Sequence, residues 1–488
     1  MTLFSVPLGE WIPDQPDLEN GTTEAKNCVP AAKGYVPLKT LTDYSLAADG
    51  TILEITAAKS AGGVVSLFAG DTTKLYKHNT ATNALDNVSK SGNYSLATND
   101  RWQFIQFGTK EIAVSGHTVN TQNFTLGTSS LFSDLAGAPR SKYIGVVRDF
   151  VVMGNIYESS TAHATRVRWS AIDDETGWTV GTNQSDFQNI PDAGHIQGIV
   201  GGENGTIFLE RGIARMSYVG SPLIFQFDMT ETGRGCAIPG SICNIGALSF
   251  YFSDDGFYAY SNTSGESQPI GAEKINRTML ADIDRSYDSK MTSAIDPLNQ
   301  IAVWSYVSND ASGSTPDKLL IYNYAINRWS RAEVDCDMIA PFFDAGYTLE
   351  GMDTINASID AHTISFDSDS LKGGTYFFGG SASNKVSTFN GAAMAATIET
   401  GEFAANKGKF SLVTQVQPNT EGGTVTAQIS GRSRQQDAAS FDSAQSLNAA
   451  GFCPVRNNSR FHKVRLNLSG AWTQAQSVEV EASAAGSR

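Results

Sequence analysis

One short pattern recurs seven times between about Gly62 and Gly391: an apolar or aromatic run, a Gly, Asp or Asn turn, then a second run ending in an aromatic or polar residue. The copies are Val64 to His78 around Gly70-Asp71, Phe104 to Ser115 around Gly108, Ile144 to Tyr157 around Arg148-Asp149, and Ile199 to Met216 around Asn204-Gly205. They continue with Leu248 to Asn262 around Asp254-Asp255-Gly256, Ile301 to Trp329 with a long Ser/Gly/Asn tip at 308–316, and Thr375 to Asn390 around Gly379-Gly380. Such turn residues tolerate the backbone of a tight reversal, and runs like Leu319-Leu320-Ile321-Tyr322-Asn323-Tyr324 read as strands, so each copy reads as a β-hairpin. Successive turns fall 38 to roughly 67 residues apart. A four-stranded propeller blade occupies ~40 to 50 residues. The expected fold class is therefore all-β, with a β-propeller-like body of about six or seven blades.

Outside the repeat the character changes. Residues 1–49 are irregular, and Trp11-Ile12-Pro13-Asp14-Gln15-Pro16-Asp17-Leu18 holds two prolines that fix φ and extend their predecessors, which predicts an extended N-terminal arm. Its apolar anchors need a surface, from this subunit or a neighbour. Because an arm cannot bury them alone, Trp11, Pro13, Asp14, Pro16, Asp17, Leu18 and Tyr35 are the candidate subunit-interface residues. Residues 50–394 form the body. In 395–488, alternating runs at Phe410 to Gln417, Thr424 to Ile429, Phe461 to Leu468 and Ser477 to Glu481 predict a small C-terminal β-sandwich-like domain. A single helix is predicted in Gly271 to Arg285, where Ile275, Met279, Leu280 and Ile283 share a face.

Charge narrows the partners. Over 488 residues, 50 Asp/Glu against 35 Lys/Arg give a net charge of −15, the opposite of the balance a duplex-DNA reader needs to neutralise phosphates. Nine Lys/Arg and seven Asp/Glu fall after residue 394, leaving 26 against 43 before it, so the acidic excess of −17 lies in the arm and body. The five cysteines are odd in number and far apart, which reads as buried free thiols and not a disulfide framework. The six histidines show no metal-ligand spacing, and no cofactor or metal is expected. No apolar run approaches 18 residues and no basic-then-apolar leader opens the chain, so neither membrane insertion nor secretion is expected.

Catalytic patterns are sparse. Gly201-Gly202-Glu203-Asn204-Gly205 lacks the spacing and following Lys of a phosphate loop, and Gly233-Arg234-Gly235 lacks a helix behind it. Ser253-Asp254-Asp255-Gly256 is close to a sialidase aspartate box without its spacer, and a hairpin turn explains it more simply. Asp173-Asp174-Glu175 has the chemistry of a cation site or an acid/base pair, but between Trp169 and Trp178 it reads as a solvated turn. Arg166 and Arg168 on one strand face, with Trp169, Trp178 and Trp329, read as core packing and ionic pairing between blades. The chain is not expected to be an enzyme.

At these residues a resemblance becomes specific. Trp11 to Leu18 with Asn27-Cys28-Val29-Pro30 and Gly34-Tyr35, Arg168-Trp169-Ser170 to Trp178, and Phe208 to Met216 carry its first half. Ser253 to Tyr260, Pro269 to Lys274, Arg460 to Arg465 and Gly470-Ala471-Trp472 carry its second. Together they cover most of the chain and resemble the tail nozzle, or tail hub and packaged-DNA-stabilising, proteins of short-tailed bacteriophages. The resemblance implies a non-enzymatic virion tail protein, made in the host cytoplasm: six copies in a ring below the portal and adaptor, with attached fibres or a plug. Genome DNA would pass through without sequence-specific binding, and an acidic lumen would keep it from sticking. No residues are assigned to that channel. The alternative is a receptor- or glycan-binding, or depolymerising, module of the virion, which needs sugar-stacking aromatics and, for cleavage, paired carboxylates.

Overall fold

Each of the seven hairpins lies inside a different four-stranded antiparallel unit, in the computed structural model that describes residues 2–17, 21–343, 358, 376–406 and 408–486. Six units are separate sheets, and the seventh, 292–333, is one end of a thirteen-stranded sheet. In chain order the blades span 54–87, 103–134, 140–189, 196–232, 243–269, 292–333 and 338–388. Inner strands such as Ile301–Tyr306 and Lys318–Asn323 are buried at every position, because both faces of a blade pack on neighbours. Burial on both faces accounts for the continuous apolar run Leu319-Leu320-Ile321-Tyr322, where alternation would mark a strand with one face in water. Among the described residues, buried apolar side chains form seven clusters, one at each junction between successive blades, and the largest runs on into the opening strands and the C-terminal sheet. The propeller fold is thus confirmed by strand pairing and by its core.

The ring closes with a strand from the other end of the chain. Five short strands open the sequence: β1 (Thr2–Pro7), β2 (Thr22–Lys26), β3 (Cys28–Pro30), β4 (Tyr35–Pro37) and β5 (Thr42–Asp43). β5 pairs with Lys385–Thr388 as the outer strand of blade seven, and Lys385 Nζ lies 2.6 Å from the Asp43 carboxylate. β2 lies between Arg328–Glu333, the outer strand of blade six, and Ala396–Thr400. Through β2 the sheet of blade six runs on into the C-terminal strands.

Those strands are dominated by one long hairpin, Ser411–Arg432 against Phe461–Ala484. The four short C-terminal strands expected from the sequence are two continuous ones. Gly422 and Gly423, both at positive φ opposite Ala471-Trp472, make a bulged corner that folds the hairpin on itself. β1 and Cys453–Ser459 flank one half, and Ala396–Thr400 and Gln445–Ser446 the other. The halves meet face to face: Phe4 packs on Phe403 at 5.4 Å, and Ser411 Oγ lies 2.9 Å from His462 Nε2. The sandwich-like unit is one bent sheet.

Two further expectations shift. Gly379 and Gly380 lie inside the strand Tyr376–Ala382, and the turn falls at Ser383-Asn384, both at positive φ. Glycine suits that strand because a Cβ on Gly380 would lie 2.5 Å from the Met338 carbonyl oxygen. Thr375, the first residue of that hairpin, lies outside the described residues. The helix is shorter than its amphipathic pattern: α1 spans Asn276–Asp282, burying Met279, with Ile275 and Ile283 buried at its ends and Leu280 exposed.

Gly34 offers a test of how the arm is seated. It sits at φ 77° in the β3–β4 turn, and a Cβ there would lie 1.9 Å from the backbone oxygen of Ala475. Gly34→Ala combines left-handed strain with a backbone clash, so it should cost about 2 to 5 kcal/mol in urea unfolding. A change within 0.5 kcal/mol, on the order of an ordinary surface substitution, would contradict this seating.

Candidate functional site

The first strands of the seven blades converge on the propeller axis around a cavity of about 600 Å³. Its charged lining comes from Glu54, Asp100, Arg101, Lys142 and Asp288. Three acids against two bases leave the cavity near balance, so the acidic excess of the body is carried on other surfaces.

Glu54 opens the first strand of blade one, where its carboxylate accepts from the Ile55 N–H at 3.3 Å. It is half-exposed by surface area, yet the blades shield it from bulk water, and this burial pushes it up to about 7 against the opposing pull of Arg101. Arg101 precedes the first strand of blade two and donates to the Leu53 carbonyl oxygen. The same desolvation lowers its pKa, while Glu54 raises it. Among the described residues, no carboxylate lies within 4 Å of its guanidinium and its remaining donors have no partner. Asp100, by contrast, is taken by Lys142 at 3.4 Å, and Asp288 by Arg285 at 3.0 Å. Burial pushes Asp288 upward, with Arg285 opposing. Asn99 accepts from Ser289 at 3.1 Å, tying blade two to the segment before blade six across the mouth.

The candidate interface residues are elsewhere, and the chain itself claims the largest of them. Trp11 is 2% exposed and donates from Nε1 to the Thr23 carbonyl at 3.2 Å. Tyr35 is fully buried, donating to the Gly9 carbonyl at 2.8 Å with the Arg328 guanidinium 5.1 Å over its ring. Of the two surfaces open to these anchors, this subunit's own supplies the cover: β1 to β4 pair within its own sheet. Asp14 accepts from the Arg277 and Thr278 N–H groups at 2.8 and 2.9 Å, and so caps the first turn of α1 from a distant part of the sequence. Asp17 accepts from the Glu402 N–H through its carbonyl at 2.6 Å, and its carboxylate sits about 4 Å from Arg432 and Lys463. Pro13 is half-buried and Pro16 exposed, while Leu18 lies outside the described residues.

The motifs read as turns are turns. Asp255 accepts from Tyr258 at 2.7 Å beside Gly256, and Asp174 accepts from the Thr176 N–H and hydroxyl, bonds that hold its carboxyl below its ordinary range. Arg166 and Arg168 both bind Glu158, within blade three and not between blades. Trp169, Trp178 and Trp329 are buried, and Trp329 donates to the Ile270 carbonyl at 3.0 Å. All five cysteines are buried and free. The run Asn99-Asp100-Arg101 was the one sequence signal for the axial site: three polar residues leading into a blade's first strand.

No family model matches the chain, and no curated protein does. Among solved structures, the extracellular domain of a putative hybrid two-component system from Bacteroides thetaiotaomicron is similar over 83% of this chain at 8% identity, with a TM-score of 0.43. The chain spans 47% of that domain's length. A quinonprotein alcohol dehydrogenase-like protein of the same species matches over 58% of this chain and 66% of its own, at 11% identity and a TM-score of 0.35. An exo-β-1,3-galactanase from Phanerochaete chrysosporium matches over 91% and 100%, at 8% identity and a TM-score of 0.26.

Proposed function

We propose that this chain is a structural subunit of the tail of a short-tailed bacteriophage, forming a nozzle or hub ring below the portal and adaptor through which the genome is held and then conducted. The reading starts from the sequence resemblance. The observation that carries it further is where those segments lie: Trp11, Cys28, Tyr35 and Trp472 are all buried where both chain ends join blade six in one sheet. A framework locked at both ends is stiff, which suits a ring that must hold packaged DNA under load. Such a ring needs heterologous contacts between like copies. The blade rims and the exposed tip of the bent hairpin are the surfaces left for them.

The test is the state of the purified full-length chain at rising concentration, by mass photometry and negative stain. Closed rings are expected, with a central opening lined by net negative charge. A chain that stays monomeric when concentrated, or a ring with a basic lumen, would overturn this reading. A second reading, a saccharide-binding module of the virion, is favoured by the Arg101 guanidinium in the axial cavity, which has no carboxylate partner among the described residues.

A further inference from the structure

We propose that the propeller axis is a binding site for a carboxylate-bearing saccharide, with Arg101 as the residue that holds the carboxylate. The proposal rests on the saccharide-binding reading and makes it specific. It does not depend on ring formation.

Charges inside the cavity are unevenly matched. Asp100 has Lys142 and Asp288 has Arg285, but among the described residues Arg101 has only the Leu53 carbonyl for its five N–H donors. Its other donors open into the cavity, where an anion can take them. Its planar fork matches a carboxylate through two parallel hydrogen bonds, which a surface lysine does not offer. Around it, Asn244 and the amide nitrogen of Gln103 line the same cavity without partners among the described residues, so neutral donors and acceptors adjoin the cation. A volume of about 600 Å³ falls within the range of ordinary small-ligand sites and has room for a disaccharide.

Charge selects among anions. A phosphate dianion would meet Glu54, Asp100 and Asp288 with one unpaired cation to offset them. A uronate oligomer carries one charge per sugar ring, so a single carboxylate meets Arg101 while the other ring keeps its charge away from Glu54, Asp100 and Asp288. Its other contacts go to hydroxyls, which suit Gln103, Asn244 and Gln197. Glu54 then sets a pH dependence. The charged groups facing it across the cavity are Arg101, Asp100, Lys142 and Asp288. Burial holds Glu54 protonated to about 7. Below that pH it is neutral and can donate to the ligand; above it, its charge competes for Arg101 and repels the bound carboxylate. The uronate itself stays ionised throughout this range.

The experiment measures binding of digalacturonate to the full-length chain by calorimetry at pH 6 and pH 8, with inorganic phosphate and the neutral disaccharide maltose as separate probes. Saturable binding of digalacturonate, weaker at pH 8, is expected. Arg101→Lys should weaken it roughly 10- to 100-fold, the scale of a lost bidentate charge-assisted pair. Glu54→Gln should abolish the difference between pH 6 and pH 8. Both variants keep a polar group of similar reach, and their melting curves verify folding. Should either fail to fold, Gln103→Ala reads the same cavity, with a severalfold loss expected. Absence of digalacturonate binding, or undiminished binding by Arg101→Lys, overturns the proposal. Equal binding of phosphate leaves an anion site and overturns the saccharide. Binding of maltose alone overturns the role of Arg101 while the broader saccharide reading stands.

Discussion

A chain lacking residues 1–30 is expected not to fold, and to be recovered insoluble or without a cooperative melting transition. The deletion removes β1, β2 and β3, and with β2 goes the strand that joins blade six to Ala396–Thr400. Leu8, Trp11, Ala25 and Cys28 leave the largest apolar cluster together. Loss of a buried Trp alone costs about 3 to 5 kcal/mol where the site cannot collapse. Arg331 would lose both of its bonds to Glu24, at 2.8 and 2.6 Å, stranding a half-buried guanidinium. A domain holds only ~5 to 15 kcal/mol of net stability, so these losses exceed what it can absorb. The check is solubility, far-ultraviolet circular dichroism and thermal melting of the truncated chain. A soluble product that melts as sharply as the full chain would show the arm to be an accessory, with ring contacts as its remaining role.

That prediction departs from what the first residues promise on their own, and the reason is physical. Pro13 and Pro16 announce extended backbone correctly, but extension does not say what the backbone pairs with. The partners of β1 and β2 lie more than 300 residues away in Phe461–Ala484, Ala396–Thr400 and Arg328–Glu333. No local pattern encodes contacts at that separation. The hairpins were legible because their information is local: Gly108 and Gly256 both take positive φ in tight turns between strands only a few residues long. Gly379-Gly380 misled for an equally local reason, since glycine serves close approach of backbones as well as turns. The axial site was the least legible part. Glu54, Arg101 and Lys142 come from three different blades, and only closure of the ring gives them one cavity. Arg101 looks like any charged residue before a strand until the strand becomes the wall of an axis.

Glu111 should make the protein lose stability as pH rises, and Glu111→Leu should remove that loss. The residue is 1% exposed, and neither carboxylate oxygen has a hydrogen-bond partner. It stands on a strand of blade two opposite Phe124 on one side and Gln106 on the other. The Gln106 amide is already committed to the Lys59 backbone at 2.9 and 2.7 Å, and Lys77, 5.7 Å over the Phe124 ring, comes no closer than 4 Å to the carboxylate. With nothing to offset it, burial pushes Glu111 up to about 8 from an ordinary 4.5. Between these values the folded chain keeps the proton and the unfolded chain releases it, so stability present at low pH falls as pH rises toward 8. The slope from this residue is about 1.4 kcal/mol per pH unit. Other carboxylates, held low by partners, slope the opposite way, so the informative quantity is the difference between the two chains. In urea unfolding at pH 5, 6.5 and 8, the leucine variant should gain on the parent at each step, by several kcal/mol in all. Leucine meets the same Phe124 face without a charge to protonate, so a gap that stays constant with pH would mean Glu111 reaches water or a partner that keeps it ionised.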